Sequence, residues 1–334
     1  MRRADQTRSG RRARGSAWWR VALAGGVLLT VVTVVGGGPS SGAAPELTAT
    51  LLLAGTPGAT VGGYIDAPST SVAKSEHLDL VLKAAGPAVF DTIPQVASGE
   101  TDFTVTGTTL LFPARAQHIP IVQLFAAIGS PICVMSHPTQ HITTWSQLSG
   151  HTIEVTPGAA WWTYVKNKYH LTNMNVVNYS GSLAEFIANK KMTQQCFITN
   201  EPYVATQQGV PNSAMLVSTT GFDPYDNVLV TTQKEISSDS TLVEDVVKAI
   251  VAGWQEFWAH PTSAYAKLPS YGTTEKIGEM KYQYSKLKGI RTTPVGYQEP
   301  SRMHLTAEQE ASVKAIPESD VAGWQGSFTN KFLP

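Results

Sequence analysis

Short apolar, β-rich runs alternating with helical stretches predict an α/β protein built from doubly wound, mostly parallel sheets. Three observations carry this. Strand-like and helix-like segments alternate from Glu46 to about Ala127. The same alternation restarts after the apolar run Ser130–Ser136 and continues to Thr232. At several points a strand ends in Thr, Gly, Asn or Glu at the mouth of a helix, where open α/β sheets hold ligands. At 334 residues, 42% of them apolar, the chain can bury two domain cores of ordinary size.

Taken in order, residues 46–53 form a β-rich first strand, followed by the loop Gly55-Thr-Pro-Gly-Ala-Thr-Val-Gly-Gly63. This loop lacks the lysine and spacing of a P-loop and has no dinucleotide fingerprint, so it is expected to face a ligand without binding phosphate. Residues 64–76 read as a helix, 78–84 as a strand, 88–98 as a helix closed by Gly99, and 102–106 as a strand ending in Thr106-Gly107-Thr108. Residues 119–127 and 130–136 are strands, and 144–148 is a short helix. The strand 152–155 runs into Thr156-Pro-Gly-Ala-Ala160, which opens a helix to about Tyr169. Strand 174–179 and helix 182–190 lead to Cys196-Phe-Ile-Thr199, which reads as a buried strand, with Pro202 suited to the first turn of the next helix. Strands follow at 215–218 and 227–232. Residues 242–259 carry Val243, Val246, Val247, Ile250, Val251, Trp254 and Trp258 at helical spacing, and these tryptophans are assigned to the core. Beyond that, the clearest helix is 305–315, and an aromatic tail, 324–332, is expected to dock back.

Charge and targeting bound the function. Lys plus Arg number 25 and Asp plus Glu number 25, so no basic excess argues for nucleic acid. Arginines at 2, 3, 8, 11, 12, 14 and 20 precede the apolar run Val21–Val35 and a small-residue stretch to Ala44. That is the layout of a secretory signal, with cleavage expected at Ser41-Gly-Ala43 or Gly42-Ala-Ala44. The apolar run falls short of the roughly 20 residues of a membrane span, and an uncleaved anchor through Val21–Val35 is the alternative. The two cysteines, Cys133 and Cys196, lie in apolar runs. An exported chain allows a disulfide between them; the alternative is two small buried hydrophobes. The histidines, including His77, His118, His137, His141, His151 and His170, lack metal-ligand spacing, and no metal, cofactor or catalytic residue is expected.

Ser98-Gly-Glu-Thr-Asp102-Phe, then Trp145-Ser-Gln-Leu-Ser-Gly150-His-Thr-Ile-Glu-Val-Thr-Pro-Gly158, then Phe197-Ile-Thr-Asn-Glu-Pro202 occur in one order. In that order the chain resembles the substrate-binding proteins of ABC importers, in the branch that binds nitrate, sulfonate, taurine and thiamine pyrimidine. Gln147 stands where that family usually has Asp. The resemblance covers roughly residues 46–260. It implies a two-lobed type II periplasmic-binding-protein fold, each lobe a doubly wound mostly parallel sheet, with two hinge crossings placed near 130–136 and 227–232. The lobes would be 46–130 plus 230–334, and 131–229. Cys133 and Cys196 would then lie on neighbouring strands of the second lobe, within reach of a bond. The implied role is capture of a small solute in the interlobe cleft by an exported monomer that delivers it to an ABC permease in the membrane. The implied ligand residues are Thr56, Tyr64, Thr106, Gly107, Thr108, Thr156, Gly158, Ala159, Trp161, Asn200, Glu201 and Tyr203, with Phe222, Asp223 and Tyr225 as secondary candidates. No arginine sits at these strand ends. Glu201, Tyr203 and Trp161 would suit an amine-bearing or aromatic heterocyclic solute, with a sulfonate-like solute as the other expectation. The same fold also hosts enzymes acting on thiamine-pyrimidine or sulfinate-type substrates, and an enzyme of this type is the alternative function.

Overall fold

The computed structural model describes residues 47–87 and 89–334. The leader, including Val21–Val35, lies outside them. Among the described residues the strands are β1 (Leu47–Leu53), β2 (Leu78–Ala84), β3 (Phe103–Thr106), β4 (Ile121–Gly129), β5 (Ile132–Ser136), β6 (Thr152–Val155), β7 (Asn175–Asn178), β8 (Met192–Phe197), β9 (Ser213–Leu216), β10 (Tyr225–Thr232) and β11 (Arg291–Gly296). The helices are α1 (Gly62–Asp66), α2 (Ser71–Ser75), α3 (Ile93–Ser98), α4 (Thr108–Ala116), α5 (Ala160–Lys168), α6 (Ala184–Ala188), α7 (Glu201–Gln207), α8 (Gln233–Ser238), α9 (Ser240–Ala259), α10 (Thr262–Lys267), α11 (Ile277–Leu287) and α12 (Pro300–Ser312).

Two sheets result, in the orders β11-β4-β10-β3-β1-β2 and β7-β6-β8-β5-β9. Both are mixed. In the first, β2, β1 and β3 run parallel, while β10, β4 and β11 join antiparallel. In the second, β7, β6 and β8 are parallel and β5 and β9 antiparallel. The expectation of mostly parallel sheets therefore holds only for one half of each. An apolar run announces that a strand is buried, but not which neighbour takes its hydrogen bonds or in which direction.

The core sits on both faces of the first sheet. All nine residues of β4 are buried, as a central strand covered on both sides requires. On one face Leu51, Leu124 and Phe125 meet Val243, Val246, Ile250 and Trp254 of α9. On the other Ala126, Val228 and Val230 meet Leu111, Phe112, Met303 and Ala307. Helix α9 begins where Asp239 Oδ1 accepts from the Leu242 amide at 3.0 Å, and each large aliphatic or aromatic side chain it buries contributes about 1.5–3 kcal/mol. It packs tightly on α1, because a Cβ at Gly253 would overlap the Gly63 carbonyl and Ala67. Gly62 and Gly63, assigned from sequence to a ligand-facing loop, are thus the start of α1, and their small size serves helix packing.

In the second sheet Cys133 and Cys196 face each other across β5 and β8 and form a disulfide, with Cα atoms 4.8 Å apart. They pack with Phe186 and Ala205, while the opposite face holds Trp145, Trp161, Trp162 and Phe222. Strand β8 runs Met192–Phe197 rather than 196–199. Its polar Thr193, Gln194 and Gln195 are buried, so no apolar run marked its true start.

The chain passes between sheets twice, at Ser130–Pro131 between β4 and β5, and at residues 217–224 between β9 and β10. The strands that pair at the crossings are β4 and β10, Gly129 opposite Tyr225 through Ile121 opposite Thr232. The segments expected to carry the crossings, 130–136 and 227–232, do not pair with each other. Instead β5 gives its ladder to β8 and β9. Asp223 stitches both crossings: its Oδ1 accepts from the Ser130 amide at 3.0 Å and its Oδ2 lies 2.8 Å from Arg302 Nη2. Arg302 Nε also donates to Asp223 O at 2.6 Å, and the guanidinium lies 4.0 Å from the Tyr225 ring centroid.

Candidate functional site: a cleft between the sheets

Strand ends from both sheets converge on one cavity of about 600 Å³, within the range of small-molecule sites. From the first sheet come Thr56 and Thr60 after β1, Thr106 and Gly107 at the end of β3, and Asp226 and Asn227 at the start of β10. Because β10 runs antiparallel to β3, with Val228 opposite Thr106, its start lies at the same edge as the end of β3. From the second sheet come Thr156–Ala159 between β6 and α5, Ala160 and Trp161 at the start of α5, Gln195 and Phe197 of β8, and Ile132 of β5. Leu110 and Pro113 of α4 and Glu310 of α12 also line it.

Local structure aims these groups. Helices α4 and α5 both start at the cleft and leave their first amides without intrahelical partners. Gln195 Oε1 accepts from the Thr156 amide at 3.0 Å, joining the β6 loop to β8. Glu275 Oε2 accepts from the Ala59 amide at 3.0 Å and fixes the Thr56–Thr60 loop, and a Cβ at Gly58 would overlap that carboxylate. Asn227 sits at φ +48, a left-handed conformation that Asn tolerates better than most residues. Its Nδ2 donates to Thr60 O at 2.6 Å, and Tyr64 Oη donates to its carbonyl at 2.7 Å.

The lining chemistry is one-sided. Among the described residues it includes Asp226 and Glu310 and no Lys, Arg or His. The Asp226 carboxyl touches the cavity but is otherwise surrounded by protein, and this burial pushes its pKa up to about 6, partly opposed by the Asn227 amide bonded to it. Glu310 is 1% exposed and neither carboxyl oxygen has a hydrogen-bond partner; burial pushes it up to about 8. The Thr106 hydroxyl is also buried without a partner. Against these polar groups stand apolar ones. Phe90 is 70% exposed, Leu110 38% and Phe197 37%, and all three line the cavity.

Of the residues expected to bind ligand, Thr56, Thr106, Gly107, Thr156, Gly158, Ala159 and Trp161 line this cavity. Trp161 does so while 4% exposed, and its neighbour Trp162 belongs to the core. The remaining five do not line it. Tyr64 is buried beneath it, edge-on to Trp254 at 5.5 Å. Thr108 Oγ1 donates to Gln123 Oε1 at 2.8 Å in the buried interior beside the first sheet. Asn200 is exposed at the start of α7. Glu201 turns back onto its own strand and accepts from the Phe197 amide at 2.7 Å and from Tyr179 Oη at 2.6 Å. Burial raises its pKa and these bonds lower it. Tyr203 stacks against Tyr282 of α11, centroids 4.9 Å apart. Among the secondary candidates, Phe222 is core, Asp223 is the hinge clamp and Tyr225 lies under Arg302.

Sequence reasoning missed Asp226, Asn227, Gln195, Phe90, Phe197 and Glu310. Glu310 carried a usable signal. It falls on the buried face Met303, Thr306, Ala307, Gln309, Glu310, Ala311, where it is the one charged residue. Asp226 likewise sits beside the fully buried run Val228–Thr231.

Two mixed sheets with helices on both sides and a cleft between them define the periplasmic-binding-protein fold. The chain belongs to the NMT1/THI5 like family, whose model matches residues 74–264. Solved structures share its fold. The periplasmic aliphatic sulphonate binding protein SsuA of Escherichia coli superposes with a TM-score of 0.63 at 12% identity, over 82% of this chain and 90% of that one. A putative periplasmic sulfonate-binding protein SsuA from Methylobacillus flagellatus KT gives 0.65 at 13%, over 87% and 94%. The periplasmic nitrate-binding protein NrtA of Synechocystis PCC 6803 gives 0.61 at 11%, over 87% and 88%. No curated protein matches this chain.

Proposed function

We propose that this chain is the extracytoplasmic solute-binding component of an ABC importer. It captures a small organic solute between its two sheets and presents it, as a monomer, to a membrane permease. The observation that carries this reading is the convergence of Thr56, Thr106 and Gly107 from one sheet with Thr156, Gly158 and Trp161 from the other on a single cavity. Structural neighbours with this fold include binding proteins for sulphonates and nitrate. We take the two lobes as 47–130 plus 225–334, and 131–224, with the second crossing ahead of β10 because that strand belongs to the first sheet. Ligand contacts made by both lobes favour the closed arrangement by the differential affinity they add. No described helix is long and apolar enough to cross a membrane. Export is supported by the leader and by the disulfide, a bond that oxidising compartments sustain.

The binding role is favoured over an enzymatic one because both cysteines are in the disulfide, so neither supplies a thiol nucleophile. Gly107→Leu tests the assignment. A Cβ at Gly107 makes only ordinary contacts, the nearest at 3.6 Å, so the larger side chain extends into the cleft with little effect on folding. Native mass spectrometry of protein purified from its own source is expected to show a small-molecule adduct that Gly107→Leu loses. Protein that carries no adduct and gains no thermal stability from any member of a metabolite panel would refute the reading.

A further inference from the structure

Resting on the solute-binding reading, we infer the chemical class of the solute: a protonated nitrogen base with a flat apolar body. Its cationic end is held by Glu310 and Asp226, and its ring packs against Phe90 and Phe197.

Glu310 is the anomaly that points there. The other buried acids among the described residues all have partners. Asp66 accepts from Lys267 and Ser263, Glu154 from Ser180, Glu201 from Tyr179 and the Phe197 amide, and Asp245 lies 3.5 Å from Lys248. Glu310 alone has neither oxygen satisfied, yet it lines the cavity. A buried carboxyl left unpaired destabilises the fold unless a ligand supplies the missing donors. Its neighbours on α12 are engaged elsewhere: Arg302 clamps Asp223, and Gln309 Nε2 donates to Gly221 O at 2.8 Å. The helix therefore anchors on the crossing segment and offers Glu310 to the cleft. Helix α12 packs against both α4 and α5, so the carboxyl stands at the seam where the two sheets' helices meet.

Asp226 adds a second carboxyl to the lining, beside Gly107, whose missing side chain leaves the approach open. An anion entering this cleft meets two acids and, among the described residues, no basic side chain. A cationic N–H group meets acceptors that lack donors. The exposed rings of Phe90 and Phe197 explain the apolar half. Large hydrophobics left bare in a cleft mark the face that a ligand covers, and a cationic ring system gains further from aromatic faces.

Isothermal titration of the full chain at pH 9, above the value of about 8 to which burial raises Glu310, tests this with three planar probes of matched shape: benzamidinium, benzamide and benzenesulfonate. Benzamidinium is expected to bind at least about tenfold more tightly than benzamide, equivalent to about 1.4 kcal/mol, and benzenesulfonate more weakly than either. Glu310→Gln is expected to erase most of the cation's advantage, and a urea midpoint at or above the native one shows that the variant has folded. Benzenesulfonate binding most tightly, an unchanged cation preference in Glu310→Gln, or no binding by any probe would overturn the class. The parent reading fails separately. A captured anion found by native mass spectrometry would remove the cation assignment and keep the solute-binding role, whereas an empty cleft would remove both.

Discussion

Replacing Glu310 by glutamine should make the protein more stable, and only above a definite pH. An ordinary glutamate titrates at 4.5, and burial pushes this one up to about 8. Helix α12 packs against α4, α5 and the 3-10 stretch Glu318–Ser327. The ionisable residues on those elements are Arg115, Tyr164, Lys166, Lys168, Glu318 and Asp320, with Arg302, His304 and Glu308 on α12 itself. None hydrogen-bonds to Glu310, and burial is the cause of the shift. Between pH 4.5 and 8 the folded chain holds a proton that the unfolded chain has lost. The folded pKa being the higher, the stability it confers is full below pH 4.5 and is lost as pH rises through 8. At about 1.4 kcal/mol for each pH step, the whole window holds nearly 5 kcal/mol as an upper bound, and about 2 kcal/mol of it falls between pH 6 and 8. Asp226, raised from 3.8 to about 6, acts in the same direction below pH 6, so the upper window isolates Glu310. Urea denaturation with the disulfide intact, at pH 6 and 8, should show the native chain losing about 2 kcal/mol more than Glu310→Gln. Parallel pH profiles for the two proteins would mean that the carboxyl is solvated or paired, and the cation site would lose its basis.

Glu201→Gln should leave solute affinity unchanged, because both carboxylate oxygens are used within the second sheet. It should lower stability by about 1–3 kcal/mol, the usual effect of weakening a buried charged hydrogen-bond pair; titration calorimetry and urea unfolding check the two halves of that statement. Replacing both cysteines by serine removes a bond spanning 63 residues and should cost about 2–4 kcal/mol in urea unfolding, with the cleft still able to bind once folded.

The fold was largely legible without coordinates wherever local period reports burial. The spacing of Val243, Val246, Val247, Ile250 and Trp254 marks one face of α9, and all five are buried against the first sheet. The runs 47–53, 78–84 and 152–155 appear as strands within a residue of their expected ends. The positive φ of Gly99 closes α3 as its sequence position implied. Strand β8 was displaced because its buried residues are polar, and such residues report their partners only after the sheet has formed.

The cleft divides along the same line. Thr106-Gly107 and Thr156–Trp161 were readable because each is a strand end running into a helix within a few residues. Glu201 has the same local signature and fails, since the turn before α7 rolls its carboxylate onto the Phe197 amide, a rotation that no spacing encodes. Glu310 and Asp226 reach the cavity from segments distant in the chain, through a helix laid across the crossing and a strand paired in reverse beside β3. The chain by itself determined where strands and helices form, because burial repeats with the local period of the backbone. Only the tertiary structure decided which carboxyls share the cleft and stand there unpaired, because that depends on which distant segments pack together and which donors they leave out.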